Sequence, residues 1–185
     1  SASSEVLRVR GIVVEDEAGR ARILIGAPAP QVSERIRTNP AAVRAALAPR
    51  FGDDIDWYFE NVRSDVFGIV LLDDAGHDRI TLSTLSPDPI IGRRIDHHSG
   101  VLINDREGIE VSGWGYFLGR DMSALGLDRL GREGLFLSVG PGESLITASD
   151  AESDTDLYFG YVAADARQDP DGPVAGLAFH DRRSG

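Results

Sequence analysis

The 185-residue sequence predicts an all-β chain of successive antiparallel hairpins, a barrel-like or bladed single domain with one or two small helices in an insertion. Three observations predict it. Apolar runs recur on either side of short turn signals, residues after each turn alternate apolar and polar, and helix-forming composition is concentrated at about 38–62.

The first hairpin runs from Gly11 through Asp16-Glu17-Ala18-Gly19 to Gly26. The same order returns at 68–83 around Asp73-Asp74-Ala75-Gly76, and at 100–113 around Asp105-Arg106-Glu107-Gly108. A weaker fourth copy spans 134–147 around Gly140-Pro141-Gly142, and the leading Gly68, Gly100 and Gly134 are spaced at 32 and 34 residues. In each turn the Asp carboxylate can accept backbone N–H groups ahead of it, and Gly takes the left-handed position of a type I turn with a bulge. Strict alternation after the turns places Ala21, Ile23 and Ile25 on one face and Arg20, Arg22 and Leu24 on the other. It likewise opposes Ile109 and Val111 to Glu110 and Ser112.

Within the insertion, Thr38 or Asn39 can cap a helix, Pro40 suits its first turn, and Ala41 to Ala48 propagates it until Pro49. A second short helix follows from Asp53, with Ile55, Phe59 and Val62 on one stripe. The run Met122-Ser123-Ala124-Leu125 reads as another turn or two of helix. Residues 176–181 read as an outward strand without a return, which either pairs with an early strand to close the sheet or leaves an edge that invites association. Residues 1–6 read as a flexible lead, and 7–185 as one domain.

Residues 7–26, and with them 67–83, resemble a loose group of uncharacterised bacterial proteins built from recurring Val-Arg-Gly-Ile-Val-Val-x-Asp-x-x-Gly-x-x-Arg-Ile-x-Ile-Gly hairpins. The likeness covers about half of the chain, and implies stacked hairpins and no particular activity. The insertion at 38–62 departs from the simple repeat.

Composition excludes several chemistries. The chain has no Cys, which removes disulfides, thiol nucleophiles and thiolate metal sites. All 19 basic residues are Arg, so there is no Schiff-base or phosphate-loop lysine. Thirty carboxylates leave a net charge of −11, which gives nucleic acid no electrostatic support. No window approaches the roughly 18 apolar residues of a membrane helix. The N-terminus has neither the basic start nor the apolar run of a signal peptide, so a cytoplasmic protein is expected, although a secreted chain whose signal has been removed would look the same.

Four groups are candidates for chemistry. His97 and His98 follow Asp96; on an extended backbone their rings face opposite ways, and one of them could pair with Asp96 or Asp88 as an oriented acid–base. His77 and His180 are weaker candidates. Asp150, Glu152, Asp154 and Asp156 alternate as in a calcium loop, yet Thr155 and Tyr161 occupy the positions of its glycine and its bidentate Glu. Trp114 and Tyr116 continue the face of Glu110 and could line a cavity lidded by Trp57, Tyr58 and Phe59. Alternatively the register shifts at Gly113 and Trp114 joins the core. Asp53, Asp54, Asp56 and Glu60 flank the aromatic cluster, and Asp56 would be the proton carrier there.

Two functions follow. One is a cofactor-independent, metal-free enzyme of isomerase or cyclase type, in which Asp96, His97, His98 and Asp56 are catalytic and Trp57, Tyr58, Glu110, Trp114 and Tyr116 bind an apolar small molecule. The other is a non-catalytic oligomeric binding or scaffold module. In either, the expected partners include a second copy of the chain and exclude nucleic acid and membrane.

Overall fold

A computed structural model describes residues 7–51, 55–90, 93–94, 96–129, 132–150, 155–162 and 174–181. Eleven strands account for most of it: β1 (Gly11–Glu15), β2 (Ala21–Gly26), β3 (Gly68–Leu72), β4 (Asp78–Ser83), β5 (His98–Asn104), β6 (Glu110–Phe117), β7 (Met122–Arg129), β8 (Arg132–Gly140), β9 (Glu143–Asp150), β10 (Thr155–Val162) and β11 (Val174–Asp181). They form a single sheet in chain order, each strand antiparallel to the next. The all-β hairpin architecture therefore stands, but the sheet is open, with β1 and β11 as its edges. Residues 176–181 do have a strand to pair with: β11 is the return strand of β10, matched from Thr155↔Asp181 to Val162↔Val174.

The first three turns share one geometry. Asp16 Oδ1 accepts the N–H groups of Ala18 and Arg20, Asp73 Oδ1 those of Ala75 and His77, and Asp105 Oδ1 those of Glu107 and Ile109, all at 2.9–3.1 Å. Gly19, Gly76 and Gly108 take φ of 74°, 88° and 79°. At Gly76 a second constraint applies, since an added Cβ would lie 1.9 Å from the Glu34 carbonyl oxygen.

Behind each of these turns sits a further bulge that the alternation alone does not show. Val14 pairs with Ile23 but Glu15 with Ala21, so Arg22 is left over. Arg79 and Val111 are left over in the same way, between Leu71↔Ile80 and Leu72↔Asp78, and between Ile103↔Ser112 and Asn104↔Glu110. One extra residue reverses the inside–outside parity. Ala21, Asp78 and Glu110 consequently share a face with Leu24, Thr81 and Gly113, not with Ile23, Ile80 and Ser112. Leu24 is fully buried, and Ile23 and Ile25 are not.

The register sorts residues into rows that cross the whole sheet. One row is Gly11, Gly26, Gly68, Ser83, Gly100, Gly115, Ala124, Ser138, Leu145, Gly160 and Gly176, small at every strand but β9. Neighbouring backbones crowd this row: a Cβ on Gly68 would lie 2.0 Å from the Leu82 carbonyl oxygen, and one on Gly100 2.1 Å from that of Trp114. Gly134 falls outside it, so the fourth hairpin is set differently from the others.

Among the described residues every buried strand side chain, from Ala21 and Leu24 to Met122 and Ala124 and on to Asp156, lies on the face of this small-residue row. We call it the covered face. The β2–β3 connection, residues 27–67, which carries the insertion, supplies much of the cover: Ala29 and Val66 pack with Leu24, Val70 and Leu72. Two helices follow, α1 (Pro40–Phe51) and α2 (Ile55–Asn61), held by Val43 and Ile90 against Ile36, Phe59 and Val62. Asn39 is the cap, its Oδ1 accepting the N–H groups of Ala41 and Ala42 at 3.1 Å. Helix α1 continues through Pro49 to Phe51, beyond the stop that the proline suggested. Asp53 lies outside the described residues. The run 122–125 is not helical but opens β7, burying Met122 and Ala124 and turning Ser123 outward.

Candidate functional site

The β2–β3 connection is locked onto the sheet by charge just ahead of the insertion. Arg35, 1% exposed, donates from Nε and Nη2 to both carboxylate oxygens of Asp78 on β4, at 2.7 and 2.6 Å. Arg37 Nε stands 3.6 Å from the same carboxylate, and Arg37 Nη1 donates to the Asp88 carbonyl at 2.5 Å. Asn104 on β5 donates to the Asp78 carbonyl at 2.8 Å. Burial alone would raise the Asp78 carboxyl pKa; the Arg35 charge and hydrogen bonds, then Arg37 and His77, overcome it and hold it below the ordinary value. Sequence reasoning missed this cluster because Arg35 and Asp78 are 43 residues apart.

A second polar group lies in the 84–97 loop and the start of β5. Asp88 accepts the backbone N–H groups of Arg63 and Arg94 at 2.7 and 2.8 Å. Asp96 accepts those of His97 at 2.6 Å and Arg120 at 3.0 Å. Both carboxylates hold backbone, and His98 instead bonds to Ser86 Oγ at 3.0 Å, which meets Ser83 Oγ at 2.9 Å. The His98 ring tilts against Phe117 at 4.9 Å between centroids. Burial first, and the nearby Arg94 charge second, push its pKa down to about 4, so the imidazole is neutral at pH 7. Next to it in sequence, His97 is exposed.

The proposed aromatic cavity is not assembled as the alternation implied. The Val111 bulge puts Glu110 on the covered face, where it meets Arg94 at 2.8 Å and lies beside Gly113. Trp114 and Tyr116 are on the opposite face, Trp114 at 64% exposure, so it does not join the core either. The shift occurs at Val111 rather than Gly113. Tyr116 donates its hydroxyl to Asp121; that hydrogen bond, with burial and the carboxylate charge behind it, raises the phenol pKa. Trp57 on α2 is 44% exposed. The side chains of Asp56 and Tyr58 lie outside the described residues, as do Asp54, Glu152 and Asp154. Asp156, from the alternating acidic run, is buried on β10 and accepts from the Tyr158 hydroxyl at 3.3 Å. Among the described residues no three His, Asp or Glu side chains converge as metal ligands would.

The unassigned feature of greatest extent is the sheet face that carries Trp114. One residue from the small row runs a second row: Ile12, Ile25, Ile69, Leu82, Val101, Trp114, Leu125, Leu137, Ile146, Phe159 and Leu177. Two residues further, the same face carries a row from Val14, Ile23 and Leu71 to Leu157 and Phe179, large and apolar but for Ser112 and Ala148. Neither row contains a charge, and none of the described side chains in them is buried. Leu82 is 49% exposed, Phe159 56% and Leu177 62%. The signal was present in the sequence as apolar residues on both parities of each strand, but the bulges conceal which parity faces the cover. Compared with protein-family models, curated proteins and solved structures, the chain matches none.

Proposed function

We propose that this chain is a non-catalytic interaction module whose working surface is the open apolar face. The observation that carries the reading is the pair of uncharged rows crossing all eleven strands. An acidic chain that keeps every charge off two adjacent rows of one face presents a surface suited to protein contact. The hairpins, the buried Arg35–Asp78 pair and the covering insertion make that face rigid. Isomerase or cyclase chemistry ranks second. Its favouring observation is His98, neutral and bonded to Ser86, but that imidazole is buried on the face opposite Trp114 and Tyr116. Native mass spectrometry of ligand-free protein tests the choice. The module reading expects no stoichiometric organic mass; a small molecule retained until denaturation would sink it in favour of the enzyme.

A further inference from the structure

We propose, building on the interaction-module reading, that the open face is occupied by a second copy of this chain, sheet packed on sheet about a two-fold axis. Area is the first argument. Eleven strands about 4.8 Å apart span about 48 Å, and the two apolar rows are about 14 Å deep, roughly 650 Å²; the more polar row beside them, through Ser99, Tyr116, Ser123, Val139 and Ser144, brings the face to roughly 900 Å². Monomers seldom leave more than about 300–600 Å² of continuous apolar surface in water. A stable pair buries about 800 Å² on each partner. The apolar rows thus lie just above what a monomer leaves in water, and with the polar row as a rim the face matches one partner's share of a stable interface.

Charge is the second argument. With a net charge of −11, two copies repel through most of their surface. The open face is where they can meet without opposing carboxylates, because its two rows hold no ionisable side chain. The two rows also hold no charge with which to select an unlike partner. Shape is the third. Ridges two residues apart, separated by a groove over the intervening backbone, are complementary to their own copy displaced by one residue. A two-fold axis lets both copies use this one surface, and the assembly closes at two.

The test is the mass of the full chain in solution at about 10 µM by light scattering and native mass spectrometry, for wild type, Leu82→Arg/Leu137→Arg, Leu82→Met, and Glu17→Arg as a turn-site control. The inference expects a wild-type mass near twice 19.9 kDa. It expects at least 100-fold weaker pairing in the double Arg variant, with circular dichroism unchanged, and pairing retained in Leu82→Met and Glu17→Arg. A wild-type monomer at 100 µM, or a dimer indifferent to the double variant, overturns it. Should the wild type be monomeric, 8-anilinonaphthalene-1-sulfonate distinguishes the two readings. Bright binding lost in the double Arg variant leaves an interaction face for a different protein, whereas no binding refutes the interaction module as well.

Discussion

His98 makes stability depend on pH in a window set by one residue. In the folded chain its pKa is pushed down to about 4, against an ordinary value of 6.5, because the ring is 2% exposed and Arg94 adds positive charge nearby. The sign follows from proton linkage: as pH falls, the unfolded chain takes up the proton first, so acid favours unfolding. The contribution is complete above pH 6.5 and is lost progressively as pH falls toward 4. At about 1.4 kcal/mol per pKa unit the loss is bounded at roughly 3 kcal/mol, and between pH 8 and pH 5 it is about 2 kcal/mol. Urea unfolding at pH 8, 7, 6 and 5 measures it, with His98→Gln in parallel, since glutamine can keep a bond to Ser86 without titrating. Wild type should lose about 2 kcal/mol more than the variant over that range, whatever their absolute difference. Parallel curves, or an imidazole seen by NMR to titrate near 6.5, would refute the buried, neutral assignment.

Three further outcomes are expected. Asp78→Ala removes the buried carboxylate that Arg35 bonds at both oxygens and should cost about 3–5 kcal/mol in chemical unfolding, while Asp78→Leu combined with Arg35→Met should recover much of that. Gly68→Ala places a methyl group 2.0 Å from the Leu82 carbonyl oxygen and should cost about 3 kcal/mol or more, whereas Gly19→Ala, strained only by its φ of 74°, should cost about 1 kcal/mol; thermal melts separate the two. Trp114 is more exposed than Trp57, so in Trp57→Phe protein acrylamide should quench the remaining fluorescence strongly at high dilution and weakly at concentrations where the open face is covered.

Much of the fold was legible because its determinants are local. Each Asp-x-x-Gly turn closes on hydrogen bonds within five residues, and Asn39 caps α1 from the adjacent position, so both are written in short stretches of sequence. The failures came where a local pattern had two solutions. Alternation placed Trp114 with Glu110, and a one-residue bulge at Val111 separates them; nothing in Glu110-Val111-Ser112 states that the bulge will form. The β8–β9 hairpin was underread because its turn, Gly140-Pro141-Gly142, has no Asp, and residues 122–125 looked helical for want of a partner strand in view.

By itself the sequence determined an all-β hairpin chain, an acidic surface without Cys or Lys, and the helical insertion, since composition and nearest-neighbour hydrogen bonding need no distant partner. Tertiary structure decided which parity of each strand is covered, that Arg35 finds Asp78, that His98 is buried beside an exposed His97, and that the apolar rows align over eleven strands. Those are properties of register and of contacts between segments far apart in the chain. They depend on how strands pair, and a shift of one residue would have reversed them.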